Sequence, residues 1–278
     1  MYFSTHLARF SIPDVLVPPF PETPSPVANK FPLPPLFFFR YLGSDMKIAI
    51  LSDIHSNLEA LLKTFTILDD LRIEEIYCLG DIVGYGGSPN ECVNLIRKRA
   101  SRCVLGNHDL AAIDTSHASY FTKPGRIAAE WTHEVLTSQN LDYLSSLPYR
   151  LDTEFGTIVH ANPARPEEWE YIVSLEDAEP QFAHFTTPLC FIGHSHIPFV
   201  CGEDRKTFVL KKGLRALINV GSVGQPRDHD PRLSFGLLDS DSWTYENIRA
   251  EYDIRGAAQA IIENGLPQFL ADRLFRGV

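Results

Sequence analysis

The chain has 278 residues, and its 44% hydrophobic and 22% charged content is that of a globular protein large enough for one sizeable core. Its net charge of −10 disfavours tight binding to long nucleic acids or to anionic membrane surfaces, which require a basic face. Apolar runs fall short of the roughly 18 residues of a membrane span, and the five scattered cysteines (Cys78, Cys92, Cys103, Cys190, Cys201) read as reduced, buried thiols of a cytoplasmic protein.

Residues 1–45 hold nine of the 20 prolines, in runs such as PPFPETPSP and FPLPPLFFF. Proline fixes φ and removes a backbone donor, so this extension is expected to be extended and poorly ordered. The only methionines are Met1 and Met46, and Met46 opens MKIAILSD, which reads as a buried strand. Two readings are open: translation begins at Met46, which we prefer, or residues 1–45 are a proline-rich docking tail.

From Met46 the pattern alternates. KIAIL and EIYCLG read as strands, NLEALLKTFTILDDL as an amphipathic helix between them. SPNECVNLIRKRA is a second helix, with Arg97, Lys98 and Arg99 at its negative end, and RCVLG is a third strand. This β-α-β-α-β order predicts parallel strands in a layered α/β protein. Residues 110–147 interrupt it with a helical insertion (RIAAEWTHEVL, NLDYLSSL). Strand-like runs come next at 155–160, 189–193, 215–220 and 233–239, then WTYENIRAEY as an edge strand. Two short helices split near Gly265–Pro267 close the chain.

The chemistry lies in the residues just after each strand. After IAIL comes Asp53-Ile54-His55; after IYCL, Gly80-Asp81; after CVL, Gly106-Asn107-His108-Asp109; after GTIV, His160; after CFI, Gly193-His194-Ser195-His196. Each of these is trivial alone, but five in order place metal-ligand types at the carboxyl ends of strands, where α/β sites form. In extended chain, residues i and i+2 point to the same side, so Asp53 with His55, and His194 with His196, can each grip one ion. Asp81 is a candidate bridge through its two oxygens. The glycines at 80, 106 and 193 admit close backbone approach. Imidazole, carboxylate and amide donors suit Mn, Fe, Zn, Ni or Co better than Ca or Mg.

The ordered set D-x-H, G-D, G-N-H-D, H, G-H-S-H resembles the calcineurin-like metallophosphoesterase superfamily, in its compact prokaryotic phosphodiesterase-type subgroup, over residues 46 to about 275. The segment Asn219-Val220-Gly221-Ser222-Val223-Gly224-Gln225-Pro226-Arg227-Asp228 is similar to a signature of that subgroup. The resemblance implies a two-sheet β-sandwich flanked by helices and two divalent transition-metal ions. One would be held by Asp53, His55, Asp81 and His196, the other by Asp81, Asn107, His160 and His194. It further implies a metal-bridging hydroxide attacking phosphorus in line, with His108 assisting the leaving group and Asp109 orienting His108. The chain departs from the pattern at Ala161-Asn162, where relatives tend to show Gly-Ser, and at Val220, where proline is usual; both bear on loop shape.

The substrate is expected to be a phosphorylated small molecule or other phosphoester: a phosphodiester or phosphomonoester, with a dinucleoside polyphosphate or a phosphoprotein as alternatives. Specificity is assigned to the 110–147 insertion and to Ala161–Tyr171, where Trp169 and Tyr171 either stack on a base or pack in the core. Arg227 either holds a second phosphate or forms a surface ion pair with Asp228 or Asp230. Three rivals are a catalytically silent scaffold of the same fold, a nucleotide-binding module reading Gly84-Tyr85-Gly86-Gly87 as a phosphate loop, and a proline-rich interaction protein acting through residues 1–45. The complete ligand set argues against the first, and the missing G-x-G-x-x-G register after a strand against the second.

Overall fold

Strand β1 (Lys47–Leu51) sends Ile48 and Ile50 to one side and Ala49 and Leu51 to the other, and all four are fully buried. A strand apolar on both faces needs a covering layer on each. In the computed structural model, which describes residues 46–278, one face meets helices and the other meets a second sheet. The expectations for residues 1–45 lie outside the described residues.

Helix α1 (Leu58–Asp70) starts where Asn57 accepts the Ala60 amide at 3.0 Å, and buries Ala60, Leu61, Thr64, Phe65 and Leu68 at helical spacing. β2 (Glu75–Cys78), α2 (Pro89–Arg99) and β3 (Arg102–Cys103) come next. α2 has Pro89 in its first turn and Arg97, Lys98 and Arg99 in its last. β3 is shorter than the apolar run suggests, because the Leu105 amide leaves the sheet to bond Pro148 O at 2.8 Å. Four helical elements come next: α3 (Asn107–Ile113), a 3-10 turn, α4 (Lys123–Val135) and α5 (Ser138–Ser145).

The second half adds β4 (Arg150–Asp152), β5 (Thr157–Val159), the single turn α6 (Leu175–Ala178), β6 (Leu189–Ile192), β7 (Phe199–Gly202), β8 (Ala216–Asn219), β9 (Leu233–Asp239), β10 (Thr244–Ala250), α7 (Ile254–Glu263) and α8 (Gln268–Asp272). One sheet runs β10-β9-β1-β2-β3, with β1, β2 and β3 parallel and β9 antiparallel to β1. The other runs β4-β5-β6-β8-β7, parallel at its centre and antiparallel at both edges. The protein is thus an α/β two-sheet sandwich flanked by helices.

Ile48, Ile50, Tyr77 and Leu79 from the first sheet and Ile158, Leu189, Phe191 and Ile218 from the second form the core between them. Since successive side chains alternate, Ala49, Leu51, Ile76 and Cys78 face α1 and α2, while Cys190 and Ile192 face Phe182 and Phe185 outside the second sheet. Phe191 is fully buried where the two sheets meet. Phe191→Ala is expected to lower unfolding free energy by about 3–5 kcal/mol, read from urea melts; a loss under about 1 kcal/mol would mean the interface collapses around the gap.

Candidate metal centre

Five loops at the carboxyl ends of β1, β2, β3, β5 and β6 converge, and hydrogen bonds lock them together. Asp53 N–H donates to Gly80 O (3.1 Å), His55 N–H to Asp81 O (3.0 Å) and Ser56 N–H to Ile82 O (2.9 Å), so the loops after β1 and β2 zip in register. Gly193 N–H donates to His160 O (2.8 Å), joining the loops after β5 and β6. The segment after β8 ties in as well: Ser222 Oγ donates to Asp53 O (2.8 Å) and Asn219 Nδ2 to Gly193 O (2.6 Å). Gly193 is required by closeness, since a Cβ there would lie 1.9 Å from Ser52 Oγ and 2.4 Å from Asp53 Oδ2.

Asp53, His55, Asp81, His194 and His196 all have positive φ, between 50° and 66°. Left-handed backbone costs a non-glycine residue about 1–2 kcal/mol, and its concentration here marks loops shaped for something other than their own stability. It also overturns the simple i, i+2 argument, which assumed extended chain. Asp53 and His55 do share a cluster, with His196, but His194 sits apart from His196, with Asp81 and His160. In each cluster the donor atoms lie within 4.8 Å of one another.

The imidazoles are oriented from behind. His55 Nδ1 lies 3.1 Å from Val83 O and His160 Nδ1 2.9 Å from Leu79 O, while His196 Nδ1 bonds Gln225 O. A carbonyl accepts only, so each Nδ1 carries a proton, and in the neutral ring each Nε2 turns a lone pair inward. Yet the Nε2 atoms of His55 and His196 approach to 3.1 Å, and His160 Nε2 lies 3.2 Å from His194 Nδ1 and 3.2 Å from Asn107 Oδ1. The neutral rings of His55 and His196 thus set acceptor against acceptor in a water-poor interior, which repels unless a cation stands at their focus. The buried Asp53 Oδ1, without a hydrogen-bond partner among the described residues, points to the same need. The donor set therefore fits divalent metal.

Asp81 stands between the clusters. Its Oδ1 accepts the His108 amide at 2.8 Å, at the start of α3. Its Oδ2 lies 3.6 Å from His55 Nε2 and 3.3 Å from His160 Nε2. A bridge through two oxygens is thus corrected: Oδ1 is committed to α3, and one atom, Oδ2, faces both clusters. Asp109 is also placed differently from the expectation. Its oxygens accept the Val83 amide (3.1 Å) and the Gly106 amide (3.1 Å), so it pins the loops carrying Asp81 and Asn107 rather than the His108 ring.

Burial, and then neighbouring charge, sets protonation. Burial opposes ionisation of Asp53 and Asp81, but the surrounding imidazoles outweigh it and hold both well below the usual carboxylate range. Burial pushes His55 well down and His194 to about 3. At His160 burial is outweighed by Asp81 and Asp53, which lift it to about 9, a positive charge that a cation would replace. Carboxylates ionised and imidazoles neutral are the forms that ligate.

His108 also has a ring nitrogen within reach of His55 and Asp81. Unlike the three carbonyl-anchored histidines, its Nδ1 has no partner among the described residues. Its ring is instead walled by Tyr85 and Phe121, each with centroid 4.3 Å away. Burial first, then Arg227 among its neighbours, lowers it to about 4. Sequence reasoning missed Tyr85 and Phe121. Gly84–Gly87 is not a phosphate loop, because the Gly86 amide bonds His55 O at 3.1 Å and Tyr85 supplies a ring. Tyr171 stacks on His194 at 4.0 Å and is 53% exposed, which removes the core-packing alternative for it. Trp169, also left-handed (φ 57°), lies 5.9 Å from the His160 ring. Arg227 has neither expected ion pair, since Asp228 pairs with Arg249 and Asp230 with Arg232.

A two-sheet α/β sandwich with Asp, His and Asn donors on five strand-end loops defines a metallophosphoesterase. The chain belongs to the calcineurin-like phosphoesterase superfamily, whose domain matches residues 46–242, and phosphoester hydrolysis is the chemistry of that family. An uncharacterised protein of Methanocaldococcus jannaschii is 43% identical over 240 residues, covering 83% of this chain and 98% of that protein. The crystal structure of a metallophosphoesterase from Sphaerobacter thermophilus is 40% identical with a TM-score of 0.76, covering 84% of this chain and 99% of that one. A hypothetical protein from Pyrococcus horikoshii shares the fold at 20% identity, with a TM-score of 0.71 over 84% of this chain and 98% of its own.

Gly193→Ala tests the closeness of the loops. The added methyl must displace Ser52 or Asp53, so bound metal, counted by elemental analysis, is expected to fall by at least half with a melting temperature several degrees lower. Full metal content at unchanged stability would show that the loops have slack.

Proposed function

We propose that the protein hydrolyses phosphoric esters, diesters or monoesters, with two divalent transition-metal ions drawn from Mn, Fe, Zn, Ni and Co. Asp53, His55, Asp81 and His196 hold one, and Asp81, Asn107, His160 and His194 hold the other. The observation that carries this reading is the single oxygen of Asp81 facing two clusters of inward-turned imidazoles. When bound, such ions supply Lewis acidity toward phosphoryl oxygens and activate water.

The chain's residues do the rest. His108, buried beside both clusters, is placed to protonate the leaving oxygen or to stabilise charge on the phosphoryl group. Its lowered affinity for protons is reversed by an arriving phosphate anion, whose opposite charge favours the imidazolium. Tyr85 and Phe121 fix the ring and exclude water from it. Asp109, holding the amides of Val83 and Gly106, keeps the loops of Asp81 and Asn107 in place. Tyr171 and Trp169, at the rim beside His194 and His160, are placed to meet the ester's organic group. The five free, buried thiols support a cytoplasmic location, and among the described residues no helix is long and apolar enough to cross a membrane.

Chelation is expected to abolish hydrolysis of bis-p-nitrophenyl phosphate, and added Mn to restore it; Asp81→Asn should lose bound metal. Undiminished hydrolysis by metal-free protein would overturn the reading. His108→Ala separates catalysis from ligation. It should keep both metals while kcat drops by on the order of 10²-fold or more, less for esters with good leaving groups. Loss of metal in that variant would instead make His108 a ligand.

A further inference from the structure

Eight arginines in the described residues pair with carboxylate side chains, as expected of a chain with 35 acidic residues. Two half-buried arginines beside the metal centre do not. Arg227 bonds only neutral oxygens, Gln225 Oε1 at 2.9 Å and Tyr85 Oη at 3.5 Å. Arg273, from just beyond α8, directs its Nε at Val278 O, an oxygen of the chain-terminal carboxylate, while its two amino groups bond no carboxylate side chain among the described residues. Both guanidiniums lie over the Tyr85 ring, 5.8 and 5.7 Å from its centroid. That ring is 4.7 Å from the His55 ring and 4.3 Å from the His108 ring. The aspartates nearest Arg227 in sequence are occupied elsewhere, Asp228 by Arg249 and Asp230 by Arg232.

Two like charges on one aromatic platform repel each other. Burial, and next the Arg227 charge, lower Arg273 to about 10. The amino groups that both leave without a carboxylate partner are suited to an anion, which guanidiniums grip in bidentate fashion.

From this geometry, and resting on the hydrolytic reading above, we propose that Arg227 and Arg273 form a subsite for a second anionic group of the substrate. That group would be a phosphate or a carboxylate carried next to the scissile phosphate. The preferred substrates are then phosphoesters or phosphoanhydrides with two adjacent anionic groups, and esters with one phosphate and an apolar remainder use only the metal half of the site.

Calorimetric titration of the metal-loaded, full-length protein tests this without turnover, using the unhydrolysable ligands methylphosphonate, methylenediphosphonate and phosphonoacetate at one fixed metal concentration. The two-anion ligands are expected to bind at least tenfold more tightly than methylphosphonate. Arg227→Gln and Arg273→Gln should each cut that ratio at least fivefold, Arg273→Lys should give an intermediate value, and Arg255→Gln, at an exposed position of α7, should leave it unchanged. Whichever two-anion ligand loses more identifies the second group. A ratio unchanged in both glutamine variants, or an equal loss for all three ligands, would overturn the subsite; Arg227→Gln and Arg273→Lys decide the matter if Arg273→Gln fails to fold. Because binding is measured directly, a protein with no esterase activity would reject the hydrolytic reading while leaving this result interpretable.

Discussion

The Asp81 carboxylate is the point on which the site turns. Its Oδ1 is tied to the first turn of α3, and its Oδ2 looks at His55 and His160 together. An anion fully buried in this way is costly unless it is hydrogen-bonded and faced by positive charge. The helix start supplies the first condition, and the imidazoles or a cation supply the second. The surrounding loop geometry serves to keep that oxygen where both clusters reach it.

Holding it there has a conformational cost. Five of the site's residues occupy left-handed backbone that a free loop would abandon. Hydrogen bonds between neighbouring loops offset the strain: the amides of Asp53, His55 and Ser56 satisfy carbonyls of the Asp81 loop, and Ser222 satisfies Asp53 O. The loops are rigid as a group because none is built alone. This same mutual support explains why a methyl group at Gly193 has no room.

How much of this is legible in the sequence depends on whether a feature is local. Strands such as Lys47–Leu51 and Leu189–Ile192 announce themselves as apolar runs, and the donors can be found because each comes directly after such a run. β4 and β7 carry no comparable signal, being three and four residues long at sheet edges. The partition of His194 from His196 comes only from the family resemblance and not from spacing, because residue spacing says nothing of φ. The role of Asp109 is easily misread because, besides the Gly106 amide three residues before it, its partner is the Val83 amide of a loop distant in sequence. Tyr85, Phe121 and Arg273 reach the centre only through tertiary packing, and nothing in their local sequence distinguishes them from ordinary core or surface residues.

The position of β1 carries a consequence for synthesis on the ribosome. β1 lies in the middle of its sheet, and the neighbour on its open side is β9, which begins at Leu233. While the intervening residues are being made, β1 and β2 can pair, but one edge of β1 keeps its backbone groups unpaired and both its faces apolar. An edge of that kind is a template for pairing with other nascent chains. The late hairpin of β9 and β10 closes it, so the sheet that anchors the first two ligand loops is sealed only when residues 233–250 have emerged.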